Sequence, residues 1–149
     1  MATYLSNELA GTTTGLTTTP AAGYRPRASV YGGMLKRYRA TVTLASQTAS
    51  DVIQLCTLPP GATLAFGVYV STVNLTSAQF SVGIAGNTTK YKSNGSGQGQ
   101  DFPVMFAPGA QVGAADPALT AEETVIMTIS TGLPSSGLLV IDLYVSQVN

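Results

Sequence analysis

From residue 38 onward, the chain consists of short segments in which apolar and polar side chains alternate, separated by clusters of glycine, proline and small polar residues. Between Tyr38 and Leu44 the apolar residues fall at every second position, with Arg39 and two threonines between them. Alternation with a period of two is typical of a strand that buries one face. The same reasoning predicts strands at residues 38–44, 52–58, 63–72, 79–85, 89–92, 102–106, 123–130 and 137–146.

Strands that recur with turn signals between them favour a sandwich over a fold of alternating strands and helices. The predicted fold class is therefore all-β: an antiparallel β-sandwich, jelly-roll-like, with an extended irregular N-terminal arm. The last strand is long and apolar, which predicts a central position in its sheet. Gly67, inside the third strand, predicts a bulge or a close approach of another group. Only residues 117–123 could form a helical turn.

Residues 1–37 lack the alternating pattern and are rich in threonine, glycine and proline. Glycine and proline at this density stop helices, and the large apolar residues are too few to offset the entropy of ordering an independent domain. We therefore predict two parts, an extended arm at residues 1–37 and a β-sandwich domain at residues 38–149. The arm is either a disordered tail or a segment fixed on a partner. Its apolar and basic side chains are spaced like anchors, and the predicted partner-binding residues of this region and its junction are Tyr4, Leu5, Leu9, Leu16, Tyr24, Arg25, Arg27, Tyr31, Lys36, Arg37 and Arg39.

Charge is scarce and unevenly distributed. Charged residues make up 9% of the chain, against roughly 25% in an average globular protein, which indicates that much of the surface faces another protein. The formal net charge is zero, but residues 1–39 carry a net +4 and the remainder a net −4. The basic cluster at residues 36–39 could neutralise nucleic-acid phosphates. This cluster has few charges for nucleic-acid binding, and ion pairs with an acidic protein neighbour explain it better. Nucleic acid is therefore not a predicted partner.

The residue types needed for most enzymatic chemistry are missing or isolated. The sequence contains no histidine, which removes the commonest general base and most zinc sites. Cys56 is the only cysteine and lies within a predicted strand, where it reads as a small core residue. The acids, including Glu123 and Asp142, read as turn formers and solvated surface charges. We predict no enzymatic activity, no cofactor and no metal site.

The glycine-rich stretch at residues 94–99 resembles a phosphate-binding loop only superficially. Such a loop requires a following helix and usually a lysine after the last glycine, and neither is indicated here. A flexible surface loop is the predicted structure. The N-terminus does not read as a signal peptide, and no apolar run is long enough to span a membrane. The sequence therefore predicts a soluble protein that is made in the cytoplasm and has no membrane partner.

Several segments resemble the auxiliary head proteins of tailed bacteriophages, also called capsid cement or decoration proteins. The resemblance rests on residues 39–44 (RATVTL), 50–55 (SDVIQL), 58–62 (LPPGA), 80–86 (FSVGIAG) and 119–126 (LTAEETVI). It covers roughly residues 38–146 and includes no catalytic signature. It implies a β-sandwich, often trimeric, that sits on the capsid surface of the virion and bridges neighbouring capsomers. The implied partners are the major capsid protein and further copies of the same chain in a homotrimer.

Three other functions stay open at this point. The first is another virion component with the same fold, such as a head-fibre base or a tail protein. The second is a carbohydrate-binding sandwich, although the sequence contains no tryptophan and Tyr69, Tyr91 and Tyr144 form no obvious platform. The third is an enzyme, which the absent histidine makes the least favoured.

Overall fold

Eight antiparallel strands form two four-stranded sheets in the computed structural model, which describes residues 34–107 and 118–147. The first sheet has the order β1-β8-β3-β6 and the second the order β2-β7-β4-β5. Strand 1 thus pairs with 8, 2 with 7, 3 with 6 and 4 with 5, which is the pairing of a jelly roll. The predicted all-β sandwich is confirmed. The strands are β1 (Met34–Thr43), β2 (Val52–Leu58), β3 (Ala62–Ser71), β4 (Gln79–Ile84), β5 (Asn87–Ser96), β6 (Val104–Phe106), β7 (Glu123–Thr131) and β8 (Leu138–Gln147).

The core lies between the two sheets and is built from alternate residues of the central strands. Leu139, Ile141 and Leu143 of β8 are each at most 1% exposed, as is Met127 of β7 across the sandwich. Alternation places these residues on one face of each strand. The last strand is bonded to β1 on one side and to β3 on the other, so its predicted central position is confirmed.

Gly67 marks a close approach between β3 and β6. It lies opposite Phe106 in the strand register, and a Cβ atom at position 67 would stand 2.2 Å from that ring. The Phe106 ring therefore occupies the space that a side chain would fill, and it also lies 6.3 Å from the Tyr69 ring. The predicted close approach is confirmed. The register shift of β3 falls instead between Leu64 and Phe66.

The structure corrects several strand boundaries. β1 begins at Met34 rather than at residue 38, because residues 34–37 pair with the end of β8. The alternating pattern did not extend this far in the sequence, because the polar Lys36 occupies an inward position. β5 runs from Asn87 to Ser96, well beyond the predicted 89–92. As an edge strand it exposes polar side chains, which hides the period of two. Residues 118–122 form no helical turn, and residue 117 lies outside the described residues.

The glycine-rich stretch is held more firmly than predicted. Residues 94–96 belong to β5, and the N–H of the buried Gly97 donates to the carbonyl of Ala78 at 2.9 Å. A Cβ atom on Gly97 would stand 2.3 Å from the Cβ atom of Leu75. These glycines therefore allow a loop to pack against the sandwich, and the prediction of a flexible surface loop was wrong for residues 94–97.

Replacing Gly67 with alanine tests the close approach. The added methyl group must displace the Phe106 ring, so we expect a loss of about 1–3 kcal/mol in the free energy of unfolding, typical of overpacking. In a Phe106→Leu background the same substitution should cost much less, because the displaced ring atoms are absent. Denaturant unfolding of the four proteins in the cycle measures this coupling. Gly99→Ala, which meets nothing within 4 Å, is the control; equal costs at positions 67 and 99 would contradict the packing account.

Candidate interaction surface

Arg39 and Asp142 form a two-point ion pair on the outer face of the first sheet. They are register partners on β1 and β8; Arg39 Nε donates to Oδ1 at 2.8 Å and Nη2 donates to Oδ2 at 2.7 Å. Asp142 is only 8% exposed although it points away from the core. The hydrogen bonds from Arg39 hold the pKa of the Asp142 carboxyl below its usual range. The prediction that Asp142 is a solvated surface charge was therefore wrong, because the guanidinium covers it.

The side chains that surround this ion pair on β3 and β8 are apolar, whereas its outward neighbours on β1, Arg37 and Thr41, are polar. The rings of Phe66 and Tyr144 stack with centroids 4.6 Å apart and an angle of 19° between the planes. Val68 lies beside Asp142 in the register, and Val70 lies beside Val140. A sheet that covers a core on one side normally turns polar residues outward on the other. We call this surface the apolar outer face; its members are Phe66, Val68, Val70, Met105, Leu138, Val140 and Tyr144, with Arg39 and Asp142 among them.

The outer face of the second sheet has the usual polar character. Thr124, Ser130 and Gln54 are exposed there. Two large apolar residues lie among them: Val52, which is 55% exposed, and the half-buried Ile126. The two sheets thus differ on their outward sides although their inward sides are equally apolar. An extended apolar surface on a soluble domain marks a site that contacts another molecule. The apolar outer face is accordingly the candidate interaction surface of the described residues.

The predicted partner-binding residues fall into two groups. Lys36, Arg37 and Arg39 lie on β1, at the edge of the first sheet, and Arg37 is exposed opposite Tyr144. The arm residues among them lie outside the described residues, and they are Tyr4, Leu5, Leu9, Leu16, Tyr24, Arg25, Arg27 and Tyr31. Sequence reasoning missed the apolar outer face. The signal was present in β3 and β8, where apolar residues occupy both sets of alternate positions.

A second polar cluster joins β5 to β7 at one end of the second sheet. Glu123 accepts hydrogen bonds from Lys90 Nζ at 2.5 Å and from the hydroxyl of the buried Tyr91. Burial, with the hydrogen bond to Glu123 as a further cause, raises the pKa of Tyr91. Glu123 was predicted to be a solvated charge and is instead half-buried within this cluster. Its contacts tie the two strands together across the end of the short strand β4.

The remaining reactive group is Cys56, which is half-buried on β2. Burial raises the pKa of its thiol to about 11, so the thiolate is scarce at neutral pH. Among residues 34–107 and 118–147 no group of three or more Cys, Asp or Glu side chains is placed to hold a metal ion. The same residues contain no helix that could cross a membrane.

Comparison with known proteins gives likenesses of structure alone. No protein-family model matches the sequence, and no curated protein matches it. A chain of the cyanophage Pam1 capsid asymmetric unit has a TM-score of 0.60 at 20% identity, over 92% of this chain and 98% of that chain. A chain of the Ralstonia phage GP4 capsid gives 0.57 at 16% identity, over 91% and 94%. A chain of the acid-stable capsid of Helicobacter pylori bacteriophage KHP30 gives 0.53 at 15% identity, over 76% and 93%. At such identities the likenesses establish a shared fold.

Changing Asp142 to asparagine tests the ion pair through its pH dependence. A carboxyl whose pKa is lowered by folding stabilises the protein above its unfolded pKa, and this stabilisation is lost as pH falls through the folded pKa. We therefore expect Asp142→Asn to lower the midpoint temperature by a few degrees at pH 7 and to differ less from the parent as the pH approaches about 2. Thermal unfolding across this range measures the effect. Glu122→Gln removes an exposed acid and is the control; a difference for Asp142→Asn that stays constant with pH would contradict the account.

Proposed function

We propose that this chain is a structural protein of a tailed-bacteriophage virion that binds the outside of the capsid and cements neighbouring capsomers. It acts through contacts alone and performs no catalysis. The observation that carries the proposal is the jelly roll that this chain shares, along nearly its whole length, with chains from phage capsids. The proposed partners are the major capsid protein and further copies of the chain in a homotrimer, and the proposed location is the capsid surface.

The apolar outer face supports the proposal because it is a surface through which the sandwich could contact the capsid shell. The stacked Phe66 and Tyr144 rings are only half-buried in the isolated chain. Large aromatic side chains at the centre of a contact supply much of its binding free energy. The Arg39–Asp142 pair neutralises the single carboxylate on this face, so these two charges can be desolvated together. Arg37 lies at the margin of the face, opposite Tyr144, where it can stay in contact with solvent. We assign this face to the contact with the capsid.

The arm supports the proposal through its reach and its attachment point. Residues 1–33 precede Met34, the first residue of β1, which is an edge strand of the sheet that carries the apolar outer face. Fully extended, 33 residues span at most about 120 Å. An arm of that length starting at this edge could follow the shell onto the neighbouring capsomer. It could also add to a sheet edge there as an extra strand.

Binding of this kind stabilises a capsid by mass action. A protein that binds the assembled shell and has little affinity for its separated parts shifts the equilibrium toward the assembled state. Bridging two capsomers requires two contacts per molecule, and the arm and the apolar outer face supply them. Linking two contacts in one chain raises the overall affinity beyond that of either contact alone.

Deleting the arm tests its part in binding. The deletion should remove residues 2–33 and stop there, because Met34 begins β1. We expect occupancy on heads that lack the protein to fall at least about tenfold, since one of two linked contacts is lost. Cosedimentation with purified heads of the phage that carries the gene measures occupancy, and thermal unfolding shows that the sandwich remains intact. Full occupancy by the truncated protein would refute the arm's role.

Replacing Phe66 and Tyr144 together with threonine tests the apolar outer face. Threonine keeps strand propensity, and both rings point away from the core, so the fold should persist. We expect the affinity for heads to fall at least about tenfold, the loss typical of removing a central aromatic contact. The same cosedimentation measures it. Val52→Thr, an exposed apolar position on the other sheet, is the matched control, and equal affinity for all three proteins would exclude this face from the contact.

Locating the chain on whole particles separates the proposal from its nearest alternative. Density for the sandwich on the head lattice is expected, whereas density confined to fibres or to the tail would favour a head-fibre base or a tail protein. The carbohydrate-binding alternative gains no support from the aromatic residues, because Phe66 and Tyr144 cover each other's ring faces and Tyr69 and Tyr91 are buried.

A further inference from the structure

The two edges of the first sheet have different chemical character. One edge is β1, which carries Lys36, Arg37 and Arg39 and exposes Met34 at 63% and Leu35 at 54%. Arg39 is already bonded to Asp142, which leaves Arg37 as an exposed cation of this strand. The edge is therefore basic, with two large apolar side chains beside the charge.

The opposite edge is β6 together with the residues that lead into it. Met105 is 70% exposed and Phe102 is 60% exposed, the most exposed large hydrophobic residues of the sheet's far side. The exposed Asp101 precedes them, in a conformation with φ of 57°. Its main-chain N–H donates to the carbonyl of Ser71 at 2.7 Å, which fixes this segment against the end of β3. This edge is therefore acidic and also bears two large apolar side chains.

Strand β6 carries no charged residue, and its protection as an edge strand comes from its short length and from Pro103 directly before it. It has three residues, Val104 to Phe106, none of them charged, and it pairs with Gly67–Tyr69 of the ten-residue β3. Edge strands of stable monomers are usually guarded by charge, by proline or by a covering segment. In the described residues no further strand pairs with the outer side of β6. An added strand could thus pair along Val104–Phe106, and Pro103 would end that pairing because it has no backbone N–H to donate.

The charges on the two edges indicate which edge strand of a second copy could pair with β6. Pairing β1 with β1 of a second copy would set lysine and arginine side chains against each other, and like charges across a strand pair are destabilising. Pairing two β6 edges would likewise bring the Asp101 side chains of two copies together. Each pairing would gather four exposed apolar side chains, but only the pairing of β1 with β6 brings opposite charges together. The complementary combination therefore joins unlike edges.

We propose that the β6 edge binds the β1 edge of a second copy of this chain, so that copies join head to tail. Arg37 of one copy faces Asp101 of the next, and Met34 and Leu35 pack against Phe102 and Met105. A contact between two different surfaces closes into a ring when its rotation allows. The proposal deepens the self-association within the proposed function and rests on it, but it does not require that the chain bind a capsid.

Charge reversal in the full-length chain tests the contact. Arg37→Asp and Asp101→Arg should each weaken self-association at least about tenfold, as the loss of an interfacial charge pair does. The double variant should recover the parental assembly, because the charges are exchanged. Analytical ultracentrifugation over a concentration series measures the mass, and circular dichroism verifies the fold. Glu122→Arg, the same change at an exposed acid directly before β7, should leave assembly unchanged.

A cysteine cross-link provides a second measurement that does not depend on charge. A chain carrying both Leu35→Cys and Met105→Cys should form, under mild oxidation, a ladder of species larger than a dimer on a non-reducing gel. Either substitution alone should give no cross-link through this contact, because the residue across it in the next copy is not a cysteine. Cys56 does not interfere, because burial raises the pKa of its half-buried thiol to about 11.

Each result distinguishes this inference from the proposed function. A monomeric parent chain, failure of the double variant to recover assembly, or a cross-link that ends at a dimer would overturn the head-to-tail contact. Head binding by a monomer would then leave the capsid proposal intact. Recovery of assembly together with the ladder supports the contact, and absence of head binding by that assembly would refute the capsid proposal alone.

Discussion

Pairing on both sides of β8 is the constraint on which the rest of the structure depends. The last strand bonds to β1 over ten register positions, Met34 to Thr43, and to β3 on its other side. Neither pairing can form until nearly all of the chain is present, so the fold is dominated by contacts distant in sequence. The first described strand is thereby held at the edge of the sheet. The point at which residues 1–33 join the sandwich is thus a consequence of where the last strand lies.

Alternation in the sequence was enough to predict the sandwich and the location of most strands. It worked where one face of a strand is buried and the other is polar, as in β7, whose Val125, Met127 and Ile129 are at most 1% exposed. It failed at the ends of edge strands. Around Lys36 and along β5, both faces of the strand contact solvent or carry a mixture of polar and apolar residues. The sequence there shows no alternation from which the strand could be predicted. Glycine at 97 was misread for a related reason, because a loop glycine required by packing looks the same in sequence as a flexible one.

The candidate surface was harder to predict than the fold, because it depends on which strands become neighbours. Arg39 and Asp142 are 103 positions apart in sequence, and each reads as an ordinary exposed charge until β1 and β8 are paired. The stacking of Phe66 on Tyr144 likewise requires the register of β3 against β8. In β3 and β8 apolar residues also occupy the outward positions, and the central position of these strands accounts for only some of them. We attribute the remaining outward apolar residues to the proposed binding surface.

The difference between the two sheets connects these features into one arrangement. Both inner faces are apolar, which a sandwich requires, yet only the first sheet has an apolar outer face, a basic edge opposite an acidic one, and the attachment of the arm. Edge contacts act within the plane of a sheet, whereas face contacts act perpendicular to it. Under the two proposals, this sheet lies against a shell through its face and joins neighbouring copies through its edges, and the two contacts meet at Met105, which belongs to both surfaces. Under the same proposals the second sheet faces solvent with its mostly polar outer face, and the Lys90–Glu123 ion pair stabilises it.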